Sequence, residues 1–386
     1  MASVFEGVRI VGAGQTAYAK RSPDTVQKLL YVAGTAALRD AGLDWSRVDG
    51  LAVTSFMLPP DNVATVAEHL GIEARFLFQG LYGGASGVIG MAHAARAIRD
   101  GSCDVVVVAA ADAFDVSSHN ETLDRFNGSV RDFMSPQGFG GANGMFALHT
   151  RLYMERHGAT REDFGRFCIA LRTNALLNPN ALFKVPLTMA DYLNAKPIAD
   201  PLRLYDCVLP CVGADAIVLV SERIARDLGG PSLRILASEE IHNHPANDVY
   251  ATPGGWAGLA DRLYARAGCG VRDLHFAQLY DDYPVMCFVQ MEGLGICPPG
   301  TAHRFVRDTD ITTRGTFPIN TGGGQLSAGQ AGAAGGTIGV YEAVTQLLGR
   351  AGARQVKCER GLVAGYGMIA YGRGLSSSAA ILERVQ

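Results

Sequence analysis

The sequence predicts a layered α/β fold built from two copies of one unit. Three observations predict it. Short apolar runs alternate with helically spaced ones along the chain. Glycine-rich turns open two apolar helices, "QGLYGGASGVIG" at 79–90 and "INTGGGQLSAGQAGAAGG" at 319–336. Three segments also recur in the same order: "VRIV" (8–11) as "LRIL" (233–236), "LRDAGLDWSRVDGLAV" (38–53) as "YARAGCGVRDLHFAQL" (264–279), and "GVIGMAHAARAIRDG" (87–101) as "GTIGVYEAVTQLLG" (336–349). Ordered self-similarity of this kind implies duplication. It divides the chain into residues 1–225 and 226–386, with a loop or lid insertion at about 113–200.

The elements follow from local pattern. "VRIVGAG" (8–14), "VDGLAVTS" (48–55) and "DVVVVAAAD" (104–112) are continuous apolar runs and read as buried strands. "DTVQKLLYVAGTAALRDAG" (24–42), "VATVAEHLG" (63–71) and "GVIGMAHAARAIRDG" (87–101) have helical spacing and close on glycine, a C-cap signal. Residues 113–143 break the rhythm: they are polar, glycine-bearing and dotted with Phe114, Phe126, Phe133 and Phe139. A loop of that length is expected to be functional, as a lid over an apolar substrate, a dimer-contact arm, or both. Helices are expected near 144–157 and 162–177.

Composition excludes several classes. With 48% hydrophobic and 18% charged residues the chain is globular rather than disordered. A net charge of −3 without a dense basic block argues against nucleic acid as a partner. The most apolar run, "VVVVAAA" (105–111), is too short to span a bilayer, so no membrane association is expected. The N-terminal segment lacks the pattern of a signal peptide, and the expected location is cytoplasmic. The eight cysteines include no C-x-x-C pair, so free thiols are expected rather than a metal site.

Two copied halves with facing glycine turns resemble the thiolase superfamily, in its sterol-carrier-type branch. "PLRLYDCVLPCVGADAIVLVS" (201–221), "LYDDYPVMCFVQMEGLGICPPG" (279–300) and "NTGGGQLSAGQAGAAGG" (320–336) are similar to that branch over essentially the whole chain. The resemblance implies a thiolase fold, an α-β-α-β-α sandwich, and a coenzyme A thioester as substrate with no covalently bound cofactor. In that family a cysteine nucleophile holds the acyl group, two histidines help stabilise the enolate and the oxyanions, and a second cysteine works as acid and base. Carried over by position, the nucleophile is Gly84, the first histidine is Tyr280, the second is Gln330, and the late cysteine region reads "AGYGMIAYGRG" (364–374), with Tyr366 and Tyr371 but no thiol.

The altered set fits retro-aldol cleavage, which needs a base, oxyanion donors and a proton source but no nucleophile. Thiolase-like steroid side-chain aldolases, formerly called lipid-transfer proteins, are similar in having glycine and tyrosine at the first two positions; their second histidine position tends to be tyrosine, against Gln330 here. The expected reaction is cleavage of a bulky β-hydroxyacyl-CoA to a ketone or aldehyde and a shortened acyl-CoA. The alternatives are a noncanonical thiolase or acyltransferase and a catalytically silent acyl-CoA-binding subunit. Expected catalytic residues are Tyr280, Gln330, Gly84 and Asp281. Ser86, Asn320, Gly322, Gly323 and Gly367 are expected around the thioester. Asp281 and Asp282 could orient Tyr280, or cap the helix that Pro284 opens; Tyr283 reads as core. His149, His242 and His244 read as surface or interface residues, although "EEIHNHPAND" (239–248) could line the substrate channel. The resemblance further implies a homodimer and a small OB-fold, zinc-ribbon partner protein.

Overall fold

The computed structural model describes residues 4–124, 127–139, 141–246, 254–332, 335–370 and 373–385. The apolar runs become β1 (Val8–Gln15), β2 (Gly50–Thr54), β3 (Phe76–Gln79) and β4 (Val105–Ala113). A small ribbon, β5 (Pro197–Ala199) with β6 (Leu202–Arg203), stands apart. β7 (Val212–Ser221), β8 (Ser232–His242), β9 (Phe276–Gln278), β10 (Arg360–Ala370) and β11 (Arg373–Val385) complete a nine-stranded sheet with the order β3-β2-β4-β7-β1-β8-β11-β10-β9.

That order is a palindrome about the β1–β8 seam. Moving outward from β1, the pairings run antiparallel to β7, antiparallel to β4, then parallel to β2. Moving outward from β8, they run antiparallel to β11, antiparallel to β10, then parallel to β9. β3 pairs parallel to β2; at the matching place Ala277 of β9 bridges Ile319, also in parallel. The seam itself is narrow, with Ile10 paired to Leu233. These two residues lie in the repeated "VRIV" and "LRIL" segments, so the duplication read from the sequence is the pseudo-symmetry of the fold.

Helices fill the layers. In the first half these are α1 (Val26–Asp40), α2 (Val63–Leu70) and α3 (Ser86–Arg99). Thr25 and Asn62 cap α1 and α2 through their side chains, and Gly71 ends α2 in a left-handed conformation at φ +66°. Between β4 and β7 come α4 (Val116–Asp124), α5 (Gly141–His157), α6 (Arg161–Ala175) and α7 (Met189–Leu193). α8 (Glu222–Leu228), in which the expected 225/226 division falls, leads to β8. The second half adds α9 (Trp256–Ala267), α10 (Pro284–Gly293), α11 (Ala302–Asp308), α12 (Gly324–Ala328) and α13 (Gly335–Leu347). α3 and α13 cross each other and touch strands of both halves; α1 covers the outer face of β1, β7 and β4, and α9 that of β8 and β11. The result is five layers, α-β-α-β-α.

The close crossing of α3 and α13 depends on small residues. A Cβ added at Gly87 would lie 2.2 Å from the carbonyl oxygen of Gly336. This brings the two glycine turns face to face.

One expectation is corrected here. Residues 113–143 are not a plain loop, because α4 forms within them. Asp115 accepts from the Ser118 N–H at 2.9 Å while the Ser118 hydroxyl accepts from the Asp115 N–H at 3.0 Å, a reciprocal cap. The excursion runs from 114 to 211, somewhat past the 200 expected, whereas β10 and β11 are separated by residues 371 and 372 alone. Phe126 and Tyr371 lie outside the described residues.

Candidate active site

The turn at 83–85 delivers backbone, not a side chain, to a cavity. The Tyr82 N–H donates to Ser86 Oγ at 2.9 Å and closes the turn. Gly83 takes φ +54°, and a Cβ there would lie 3.1 Å from both Gly367 Cα and Met368 N. The first turn and the strand β10 therefore meet backbone to backbone. α3 starts at Ser86, so its positive dipole end faces this turn.

The cavity holds about 770 Å³ of free space, its mouth included. Gly83, Gly84, Tyr280, Asp282, Gln330 and Gly367 form its polar end; Phe56, Phe114, Met145, Val208, Met368 and Ile369 form an apolar wall. Tyr283 and Tyr366 extend that wall with stacked rings: Tyr283 lies 4.1 Å from Phe146 and Tyr366 lies 5.3 Å from Trp256, centroid to centroid. An aromatic and aliphatic wall of this kind suits a bulky apolar acyl group.

Tyr280 is fixed from its backbone outward. Gln290, fully buried on α10, accepts the Tyr280 N–H at 2.9 Å and donates to the Tyr280 carbonyl at 2.7 Å. The Tyr280 ring then fills the space beside Gly84: a Cβ at Gly84 would lie 1.9 Å from Cε2 and 2.2 Å from Cζ of that ring. Gln330 Nε2 donates to the Tyr280 hydroxyl at 3.3 Å and to Gln325 Oε1 at 3.0 Å. Burial, then the Asp282 carboxyl, push the Tyr280 phenol well above its ordinary pKa, so it stands as a neutral donor. Gln330 Oε1 is buried without a hydrogen-bond partner among the described residues.

The two aspartates separate. Asp281 turns away from the cavity and accepts from the Gln325 and Leu326 N–H groups at 2.9 and 3.2 Å. It caps α12, and burial pushes its carboxyl up to about 7. Asp282 lines the cavity, with Oδ1 buried and unpartnered among the described residues. Burial and then Asp281 push its carboxyl well above the usual carboxylate range. The expected capping of the helix at Pro284 is corrected: the α10 N-cap is Tyr283, and no side chain bonds to it as a cap. Asp281 caps a helix more than 40 residues away in sequence, because the fold brings that helix's free N–H groups to it.

Of the other expected residues, Gly84, Tyr280, Gln330 and Gly367 converge on the cavity, whereas Ser86, Asn320, Gly322 and Gly323 lie beside it and do not line it. The Ser86 hydroxyl is spent on the turn. Asn320, at φ +48°, exchanges two side-chain bonds with Leu279, accepting its N–H at 2.7 Å and donating to its carbonyl at 2.9 Å. Gly322 gives its carbonyl to Asn178, and Gly323 packs against Ala175. His149 is buried on α5 rather than at the surface. His242 bonds Ser376 Oγ at 3.0 Å, and Glu239 pairs with Arg262 and Arg266, so the described part of the 239–248 segment serves β8 rather than the cavity. Residues 247 and 248 lie outside the described residues.

Sequence reasoning missed His119 and Thr122 of α4, which both line the cavity. Tyr283, expected as core, is core and wall together, its hydroxyl donating to Asn143 Oδ1 at 2.7 Å. The helical signal at Asp115 and Ser118 would have placed His119 and Thr122 on one face.

Comparison with known proteins finds relatives over most of the chain. A sequence profile described as thiolase C-terminal domain-like matches residues 238–384. The chain is 36% identical over 362 residues to a 17-hydroxy-3-oxo-4-pregnene-20-carboxyl-CoA lyase of Mycobacterium tuberculosis, covering 88% of this chain and 91% of the relative. It is 32% identical to a steroid side-chain-cleaving aldolase of Thermomonospora curvata, covering 84% of this chain and 87% of that one. Among solved structures, the Ltp2-ChsH2(DUF35) aldolase superposes with a TM-score of 0.85 at 31% identity, over 98% of this chain and 97% of that chain.

Proposed function

This chain belongs to the thiolase-fold family of steroid side-chain-cleaving aldolases, and from that premise we propose that it cleaves a bulky β-hydroxyacyl-CoA by a retro-aldol reaction. The products are a ketone or aldehyde and a shortened acyl-CoA. The observation that carries the reading is the Tyr280 ring in the space a side chain at position 84 would need. A nucleophile at 84 and Tyr280 in this pose are mutually exclusive.

The steps balance without a nucleophile. Asp282, in its ionised form, accepts the β-hydroxyl proton; its raised pKa makes it a stronger base than an ordinary carboxylate. The C–O bond becomes a carbonyl, the Cα–Cβ bond breaks, and its electron pair forms the thioester enolate. The backbone of Gly83 and Gly84, at the N-terminal end of α3, with Gly367 of β10 packed against it, receives the enolate oxygen. Tyr280 protonates the enolate carbon, and the Gln330 amide steadies the phenolate that forms. The proton held by Asp282 then restores the tyrosine.

Thiolysis through an acyl-enzyme has little support. No cysteine lines the cavity among the described residues. Burial pushes the Cys207 thiol up to about 12, and Cys287 is pushed well above its ordinary value. A thiol so perturbed supplies little thiolate.

Coenzyme A enters as part of the substrate. A DUF35-type partner is supported by the solved Ltp2-ChsH2(DUF35) aldolase, whose name joins two proteins; the small OB-fold, zinc-ribbon build proposed for it rests on the thiolase-like resemblance. A homodimer, which the thiolase resemblance implies, is part of the same proposal. Free thiols at all eight cysteines support a reducing, cytoplasmic setting.

The test is Tyr280→Phe. Cleavage should fall by about 10²- to 10⁴-fold, the usual worth of a positioned acid, while acyl-CoA binding persists. Full activity in this variant would remove Tyr280 from the chemistry.

A further inference from the structure

The cavity has a second polar patch that the reaction above does not use. His119 and Thr122 sit three residues apart on α4, hence on one helix face, and both line the wall beside Phe114. The His119 ring meets Phe114 edge-on, with centroids 5.6 Å apart and planes at 81°. No hydrogen bond satisfies its ring nitrogens among the described residues. The Thr122 hydroxyl donates to the Ser118 carbonyl at 2.9 Å, so its hydrogen is spent and its oxygen remains an acceptor.

Burial pushes the His119 imidazole down to about 4, which leaves it neutral near pH 7, with one donor nitrogen and one acceptor. It is too weak a base to compete with Asp282 for the hydroxyl proton. Phe114, against its ring, and Phe56 and Ile369, on the same cavity wall, are apolar. A hydrocarbon lying on this patch would strip water from an imidazole and a hydroxyl oxygen and return nothing. An oxygen function lying there would satisfy them.

We propose that His119 and Thr122 form a specificity site for a second oxygen substituent, a hydroxyl or a ketone, carried by the acyl group away from its β-hydroxyl. A ketone accepts from the imidazole N–H. A hydroxyl does the same and also donates to Thr122 Oγ1 or to the other ring nitrogen. The inference rests on the aldolase reading, since it takes the occupant of the wall to be the acyl group.

The experiment uses three ring-bearing β-hydroxyacyl-CoA thioesters that differ only at a ring position remote from the thioester, which carries a hydroxyl, a ketone or hydrogen. Dissociation constants by calorimetry and cleavage rates are measured for the full-length protein and for His119→Phe. The unmodified protein should bind the two oxygenated thioesters on the order of tenfold tighter than the third, the worth of one neutral hydrogen bond. His119→Phe should lose that preference, so that the oxygenated thioesters bind no more tightly than the third. His119→Asn, which keeps a donor and an acceptor, should recover part of it. No preference in the unmodified protein, a preference that survives His119→Phe, or an equal weakening for all three thioesters would each overturn the site. If the preference behaves as expected but none of the three is cleaved, the aldolase reading fails and the recognition site stands.

Discussion

Gly84→Ala tests the coupling on which the chemistry turns. The added Cβ would sit 1.9 Å from Tyr280 Cε2, and ordinary contact begins at 3.4 Å. One partner must therefore retreat by about 1.5 Å. The turn has no room to do so: Cβ positions built on Gly336 and Gly365 already lie 2.8 and 2.7 Å from the Gly84 carbonyl oxygen. The tyrosine ring yields instead, and its 3.3 Å bond to Gln330 is lost. A displacement of about 1 Å in a reacting group costs roughly 10²-fold, so kcat should fall by about 10²- to 10³-fold. Overpacking should cost stability by about 1–3 kcal/mol, seen as a lower Tm. The assay is release of the ketone or aldehyde product from a β-hydroxyacyl-CoA, with thioester affinity measured in parallel. A double-mutant cycle completes it: in a Tyr280→Ala background, Gly84→Ala should cost almost nothing further, because the ring it displaces is gone. Activity within threefold of the parent, or a full additional loss in the Tyr280→Ala background, would refute the argument.

Two further outcomes follow from buried carboxyls. Asp282→Asn should lower kcat/KM by about 10²- to 10⁴-fold and abolish the acidic limb of the pH profile; in the parent that limb should lie above the ordinary carboxylate range, with activity rising as pH rises and Asp282 ionises. A pH profile unchanged by the substitution would remove Asp282 as the base. Asp215, buried on β7 and accepting from the Tyr18 hydroxyl and Gln15 Nε2 at 2.6 Å each, is pushed up to about 7 by burial. Its folded form holds a proton that the unfolded chain releases near pH 4, so this group's contribution falls as pH rises from about 4 to 7, by on the order of 4 kcal/mol. Asp215→Asn should flatten that part of the stability curve in urea titrations at pH 5 and pH 8; an unchanged difference between the two would contradict the shift.

Much of the architecture was legible because it rests on local pattern repeated twice. "VRIV" and "LRIL" are the segments that meet at the β1–β8 seam, and the two glycine turns mark α3 and the approach to α13. Gly84, Tyr280 and Gln330 were legible as positions in the thiolase-like motifs. Their mutual geometry was not, since a ring filling the space of an absent side chain leaves no trace in either local sequence. Asp281 shows the same limit. Its neighbour Pro284 pointed to a cap on α10, yet its partners are the Gln325 and Leu326 N–H groups, contributed by tertiary contact. α4 was missed for a different reason: its polar composition resembles a loop, and its one start signal is the Asp115 and Ser118 pair.

The loss of a nucleophile at 84 and the presence of Tyr280 are best understood as a single change. A tyrosine ring reaches farther than an imidazole, and in this pose it requires the residue opposite to have no side chain. Glycine at 84 therefore does more than lack a thiol; it admits the tyrosine ring to which the proposed reaction assigns proton transfer. In the proposed reaction the oxyanion is received by backbone, at Gly83, Gly84 and Gly367, which line the cavity, and backbone survives side-chain replacement. A fold that holds a thioester oxygen in this way can exchange acyl transfer for carbon–carbon cleavage, provided a base is supplied. Asp282, its Oδ1 unpartnered among the described residues and its pKa raised at the cavity wall, is the base the proposed reaction calls for. On this argument, a cysteine introduced at 84 alone would clash with the Tyr280 ring, whose Cε2, Cζ and Cδ2 would lie 1.9, 2.2 and 2.4 Å from its Cβ.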